Sequence, residues 1–176
     1  TGTLASAGQT WFQWTNAARG NATVADSVPG VPGTGIDNLM NSFLGSYVNS
    51  NPSYVSHVLM NWGVNDMGAG GLVEATWVSQ YGQIVDYLHT RFPSATLVIS
   101  YPWRQGYDSQ SATMHGWIDT VIANCAGIGA TCIPGVDEAV TIKGSDNGAT
   151  ATRDGVHYST AGFSLYAAAM KTVLGY

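Results

Sequence analysis

Two compact apolar runs with a long amphipathic stretch between them constrain this chain more than any other feature. Residues 95–101 read Ala-Thr-Leu-Val-Ile-Ser-Tyr, β-branched and bounded by Pro93 and Pro102, which is the pattern of a strand. Residues 54–62 are apolar and compact enough for a buried central strand. Between them Val73, Trp77, Tyr81, Ile84, Val85 and Leu88 share one helical face, predicting a helix over 72–91. Strands separated by helices of this length form a parallel sheet with helices on both faces.

The remainder repeats the alternation. Residues 11–19 read as a short helix ended by Gly20-Asn21, with Trp11 and Trp14 on its buried face. Residues 22–25 read as a short β segment that runs into the Gly/Pro loop 28–33. Ile36, Leu39, Met40, Phe43, Leu44 and Tyr47 recur at helical spacing until Asn51-Pro52, with Asp37 near the N-terminus, where a carboxylate suits the helix dipole. A helix over 111–124, a strand over 131–134 and a last helix over 160–173 complete the pattern. With no repeat, low-complexity tract or linker, one α/β domain is expected across 1–176. Such a sheet carries its working residues at the carboxyl ends of the strands. That singles out the loops 28–35, 63–71, 102–108 and 136–159.

Charge narrows the functional class. The net charge is −5, and only 10% of residues are charged. Arg19, Arg91, Arg104, Lys143, Arg153 and Lys171 are scattered singly, so no basic stripe exists to neutralise nucleic-acid phosphates. A polar, weakly charged composition suits a secreted or cell-surface protein. No apolar run is long enough for a membrane span, and no leader opens the chain, as expected of a mature or trimmed start. Cys125 and Cys132 are seven positions apart. A disulfide closing a small loop is expected, which implies an oxidising compartment; two buried thiols are the alternative.

Three short motifs carry the chemistry. In Asp154-Gly155-Val156-His157, just before the last helix, the aspartate can hold one ring nitrogen of the histidine and leave the other as a general base. In Gly63-Val64-Asn65-Asp66, after the first apolar strand, a neutral amide can donate to a developing oxyanion, and Asp66 can brace the loop by accepting backbone bonds. In Val28-Pro29-Gly30, an unobstructed glycine N–H can serve the same oxyanion, with Gly33 as the competing candidate. His57, His89 and His115 have no acidic partner at useful spacing and read as structural, and Trp62 reads as core. Metal binding is not expected, because no third ligand sits in an obvious loop.

Together these motifs resemble the SGNH, or GDSL, hydrolase family, which is recognised by a serine block, a glycine block, a G-x-N-D block and a D-x-x-H block in that order. The resemblance spans nearly the whole chain and implies a flavodoxin-like three-layer α/β/α sandwich around a central parallel sheet. It also implies a serine attacking an ester carbonyl while His157 takes its proton. Asp154 would orient the imidazole, and Asn65 and Gly30 would hold the oxyanion, with no cofactor.

The serine block itself is absent. Ser27, in Ala25-Asp26-Ser27-Val28, is a literal match, but the family runs helix, strand, helix, strand between its nucleophile and the G-x-N-D block. Between Ser27 and Asn65 there is room for one helix and one strand only. Thr1-Gly2-Thr3 is a degenerate alternative with Thr3 in the serine's place. The first strand of the sheet is therefore expected to be missing from this sequence. Supply by another chain, or loss in a degenerate binder, are the alternatives. In the loop after the best strand, Trp103, Arg104 and Tyr107, with Asp108, offer aromatic planes and a guanidinium to a sugar face or a carboxylate. The expected activity is a short-chain acyl or carbohydrate O-acetyl esterase acting on a small-molecule or polysaccharide ester. A lipase or thioesterase of the same family, or a non-catalytic carbohydrate-binding domain, stands as the alternative. Oligomeric state is not set by the sequence.

Overall fold

The computed structural model describes residues 22–43, 52–144 and 146–176. Thr3 and the helix expected over 11–19 lie outside the described residues, as does the end of the helix expected to run to Tyr47. The described chain begins with α1 (Val24–Ser27) and α2 (Ile36–Phe43). Next come β1 (His57–Met60), the single turn α3 (Asp66–Ala69) and the long α4 (Glu74–Arg91). β2 (Thr96–Tyr101), α5 (Asp108–Asn124) and β3 (Thr131–Asp137) follow. The short α6 (Glu138–Thr141) and the final α7 (Thr160–Val173) complete it.

Among the described residues the three strands form one parallel sheet in the order β1-β2-β3. His57 pairs with Thr96 and Met60 with Ile99, while Thr96 pairs with Thr131 on the other side. Successive side chains of β2 face opposite layers, and this divides the core. Leu97 and Ile99 pack among Trp77, Tyr81, Ile84 and Leu88 of α4 and Met114 and Ile118 of α5. Val98 faces the other way, onto Val136 and onto Met170 of α7. All three β2 residues are fully buried, and each contributes roughly 1.5–3 kcal/mol by leaving water. Helices therefore cover both faces, giving the three-layer α/β/α arrangement with a central parallel sheet.

Four boundaries differ from the sequence reading. β1 covers only His57–Met60 of the expected 54–62, with Tyr54 in the 3-10 turn Pro52–Tyr54, and three of its four residues are half-buried. Residues 22–25 are not β, because Val24–Ser27 is helical. Thr23 Oγ1 accepts the Asp26 N–H at 3.2 Å, and the Asp26 carboxylate accepts the Thr23 N–H at 3.0 Å. This reciprocal cap satisfies two amide donors that an extended chain would leave to water. α5 starts at Asp108, three positions before the predicted start at Ser111. β3 continues through Pro134 to Asp137, and its register against β2 shifts between Ile99 and Tyr101. Proline is tolerated there because β3 has one partner strand among the described residues, leaving a side on which no N–H is needed.

Cys125 and Cys132 form a disulfide across the turn from α5 into β3, with Cα atoms 6.0 Å apart. No helix among the described residues is long and apolar enough to cross a membrane.

Candidate active site

The segment before α7 folds back on itself. Thr152 and Tyr158 form an antiparallel bridge, the Arg153 N–H donates to the His157 carbonyl at 2.8 Å, and the Ser159 N–H donates to Ala151 at 2.9 Å. Inside this turn the Asp154 Oδ1 accepts the N–H groups of Val156 at 3.1 Å and His157 at 2.8 Å. Its Oδ2 lies 2.7 Å from His157 Nδ1. An ionised carboxylate can only accept, so Nδ1 carries the proton and Nε2 is left as the basic nitrogen. The His157 N–H, the His157 ring and the Val156 N–H hold the Asp154 carboxyl down at about 2. Both side chains are open to solvent, His157 at 74% and Asp154 at 55% exposure. Gly155 has φ +80°, and a Cβ there would fall 2.5 Å from Gln105 Oε1, so the turn needs glycine.

The other motif is built inward. Gly63 has φ +121°, and a Cβ on it would sit 2.8 Å from Pro102. The turn after it brings the Asn65 Nδ2 to the Ala22 carbonyl at 3.0 Å; the amide has a second N–H to offer. Asp66 is 2% exposed. It accepts the Val24 N–H on both oxygens, at 3.1 and 3.2 Å, and the Trp77 Nε1–H at 3.0 Å. Burial raises its pKa, while these donors pull it back. Asp66 thus ties residue 24 and α4 to the turn that carries Asn65.

The loop after β2 lies between the two turns. Pro102 abuts Gly63, and the Arg104 guanidinium lies against Gly68, where a Cβ would be 2.6 Å from Nη1. The same guanidinium sits 4.5 Å from the centre of the Tyr107 ring. On the opposite side the Gln105 N–H donates to the Gly155 carbonyl at 3.0 Å. Both motif turns therefore flank one loop at the carboxyl end of β2, where an open parallel sheet is expected to work.

Four other expected residues behave differently. Trp103 offers no ring face to a sugar: it is 2% exposed, packs with Ile142 and Ala151, and donates its Nε1–H to Asp108 at 2.8 Å. Ser27 is fully buried, donating to the Thr23 carbonyl at 2.9 Å and accepting from Trp62 Nε1 at 2.8 Å. Neither bond brings its hydroxyl to His157. The Gly30 N–H donates to Asp37 at 3.0 Å, so an oxyanion role would require that carboxylate to let go. His115 has an acidic neighbour after all, Asp137 at 3.7 Å, too far for a hydrogen bond.

Glu138 escaped the sequence reading. It is 1% exposed beneath these loops, and burial pushes its carboxyl up to about 7. In the sequence it is one acidic residue beside another, in a loop already of interest. No spacing signals that it is buried. Beside α3 lies a cavity of about 390 Å³ with Met67, Leu72, Met114 and Trp117 among its walls. Among the described residues no group of three or more His, Cys, Asp or Glu is arranged to hold a metal ion.

No protein-family model matches the chain, and no curated protein matches it by sequence. Solved structures do match. An active-site mutant of a family two carbohydrate esterase from Clostridium thermocellum superposes with a TM-score of 0.60 at 18% identity. A structure of a family two carbohydrate esterase from the same organism, in complex with cellohexaose, gives 0.56 at 17%. Each match covers 88% of this chain, which spans about half the length (48%) of the esterase chain. A GDSL-like lipase from Bacteroides thetaiotaomicron gives 0.48 at 15% identity, covering 68% of this chain and 62% of its own. At identities this low the likeness establishes the fold alone: this chain shares the fold of the family two carbohydrate esterase over most of its length.

Proposed function

We propose that the chain is the body of a secreted carboxylic ester hydrolase that removes short acyl groups, acetyl above all, from a carbohydrate. The observation that carries this is the Asp154–His157 pair: a 2.7 Å bond to Nδ1, a carboxylate held ionised by backbone N–H groups, and an imidazole open to solvent on its other edge. That is a general base without a substrate hydroxyl yet in reach. His157 would take the proton of a nucleophilic hydroxyl and return it to the leaving alcohol. Asp154 would steady the imidazolium in between. The second N–H of Asn65 would hold the oxyanion. Arg104 and Tyr107, stacked on the loop between the two turns, are the surface offered to the alcohol portion. The fold shared with a carbohydrate esterase crystallised with cellohexaose supports a sugar as that portion. The Cys125–Cys132 disulfide supports an oxidising compartment.

A longer acyl chain is the second reading, favoured by the apolar cavity beside α3. Rates on p-nitrophenyl acetate and on its octanoate analogue decide between the two. The same acetate assay, run with and without a serine-reactive phosphonate on a complete chain that carries the serine block expected outside this sequence, tests the enzyme reading itself. Turnover abolished by the phosphonate is expected, and mass spectrometry of the labelled chain then locates the nucleophile. No turnover from a complete, folded chain would favour a carbohydrate-binding domain over the esterase.

A further inference from the structure

Glu138 begins α6 at the carboxyl end of β3, buried and unaccompanied by a cation in its hydrogen bonds. Its Oε1 accepts from Asn61 Nδ2 at 2.6 Å and from the Tyr158 hydroxyl, and its Oε2 accepts the Trp103 N–H at 3.0 Å. The origin of these donors is informative. Asn61 directly follows β1 and stands four residues before Asn65. Trp103 opens the loop that both motif turns flank. Tyr158 is the residue after His157. One carboxylate therefore joins the segments that carry Asn65, Arg104 and His157.

The need for such a joint is visible in the exposure of the pair. Hydrogen bonds between Asp154 and its neighbours fix the turn internally, but they do not set how it is tilted over the sheet. The Gln105–Gly155 bond ties the turn to the loop after β2, and Tyr158 ties it to the sheet below, because its ring is clasped by Phe163 and Tyr166 with centroids 5.4 and 5.6 Å away and its hydroxyl reaches down to Glu138. Three donors converging on one carboxyl select the ionised, acceptor-only form. A protonated Glu138 would turn its own O–H against a donor.

We propose that Glu138 is a positioning residue for His157, acting through the Tyr158 hydroxyl and locking the imidazole to the Asn65 side of the site. This rests on the reading of His157 as the base. The groups that face Glu138 are Tyr158, Tyr166, Asn61, the Trp103 N–H and the adjacent Asp137; burial and Asp137 oppose its ionisation, while the Tyr158, Trp103 and Asn61 donors favour it. Protonation near neutrality would release Tyr158 and with it the tilt of the imidazole.

The test follows the His157 ring by NMR from about pH 4 to pH 9, assigned by its loss in His157→Asn. In the unaltered chain the ring signals should step twice, once for the ring and once for Glu138. In Glu138→Gln and in Tyr158→Phe the second step should vanish. A single step in the unaltered chain, or a second step that survives both substitutions, overturns the proposal. Kinetics supply the other arm: kcat should fall about tenfold to a hundredfold in either variant while KM stays nearly constant. A loss confined to KM overturns the positioning role. If Glu138→Gln does not fold, Tyr158→Phe decides, since it keeps the carboxylate and removes one hydroxyl. Absence of turnover in a complete, folded chain would sink the esterase reading, and the ring titration would still decide the inference about Glu138.

Discussion

Asp66 and Asp154 stand on turns that flank the same loop, yet they are held in opposite ways. Asp66 is 2% exposed, its acceptors are taken by distant parts of the chain, and burial drives its pKa upward. Asp154 is 55% exposed, bonded only to residues two and three positions ahead, and held at about 2. The first carboxylate spends its hydrogen bonds on architecture, fastening α1 and α4 to the Asn65 turn. The second is bonded only within its own turn, so its effect ends at the imidazole. A site that must present a fixed donor to an oxyanion and a base that exchanges protons with substrate calls for this division. In the proposed roles, the side that carries the donor is braced by a buried carboxylate and the base side is accessible.

The sharpest way to break this contrast is Asp154→Asn. The geometry survives, but the amide favours the wrong tautomer of His157, so kcat should drop by about 10⁴-fold. The thermal midpoint should move little; a folding defect in place of the rate loss would make Asp154 architectural too. Asn65→Ala should cost about 10²–10³-fold in kcat with KM nearly unchanged. Wild-type turnover would remove Asn65 from the site.

The acidity of the buried groups predicts a pH signature. Glu138 titrates at about 7 in the folded chain against an ordinary 4.5. The unfolded chain therefore releases that proton first, and stability declines as pH rises from 4.5 to 7, by on the order of 3 kcal/mol before the other groups are added. Asp154 has the opposite sign. Its contribution is complete above its ordinary 3.8 and is lost as pH falls toward 2. Urea midpoints measured across that range should be flatter above pH 4.5 in Glu138→Gln. The smallest effect expected is from Asp66→Asn. One amide N–H would then face the Val24 or Trp77 donor, costing about 1–3 kcal/mol of stability. A rate loss at unaltered stability would erase the contrast with Asp154.

How far the sequence discloses this molecule depends on the length of the pattern. α4 and α7 were legible almost to the residue, because apolar positions recur over several turns and leave one register. β2 was legible as a dense apolar run, and β1 only in its middle, because the apolar run over 54–62 is shared between a 3-10 turn, a four-residue strand and the loop after it. α1 was misread as β because four residues are too few for a period to show, although its Thr23–Asp26 cap was present in the letters. Pro134 suggested a stop, yet β3, with one partner strand among the described residues, absorbs a proline. The Asp154–His157 contact was readable because both partners lie within one turn. The burial of Trp103 and Glu138 was not, since it arises where segments 35 residues apart meet. That the Gly30 N–H is occupied was hidden for a related reason: Asp37 returns to it from the next helix.

The Cys125–Cys132 link has a practical consequence. It fastens the end of one helix to the first residues of the strand that follows, so the alignment of β3 is constrained covalently as well as by its pairing with β2. A recombinant chain made in a reducing cytosol must locate that alignment unaided. Export to an oxidising periplasm is the production route on which yield should depend.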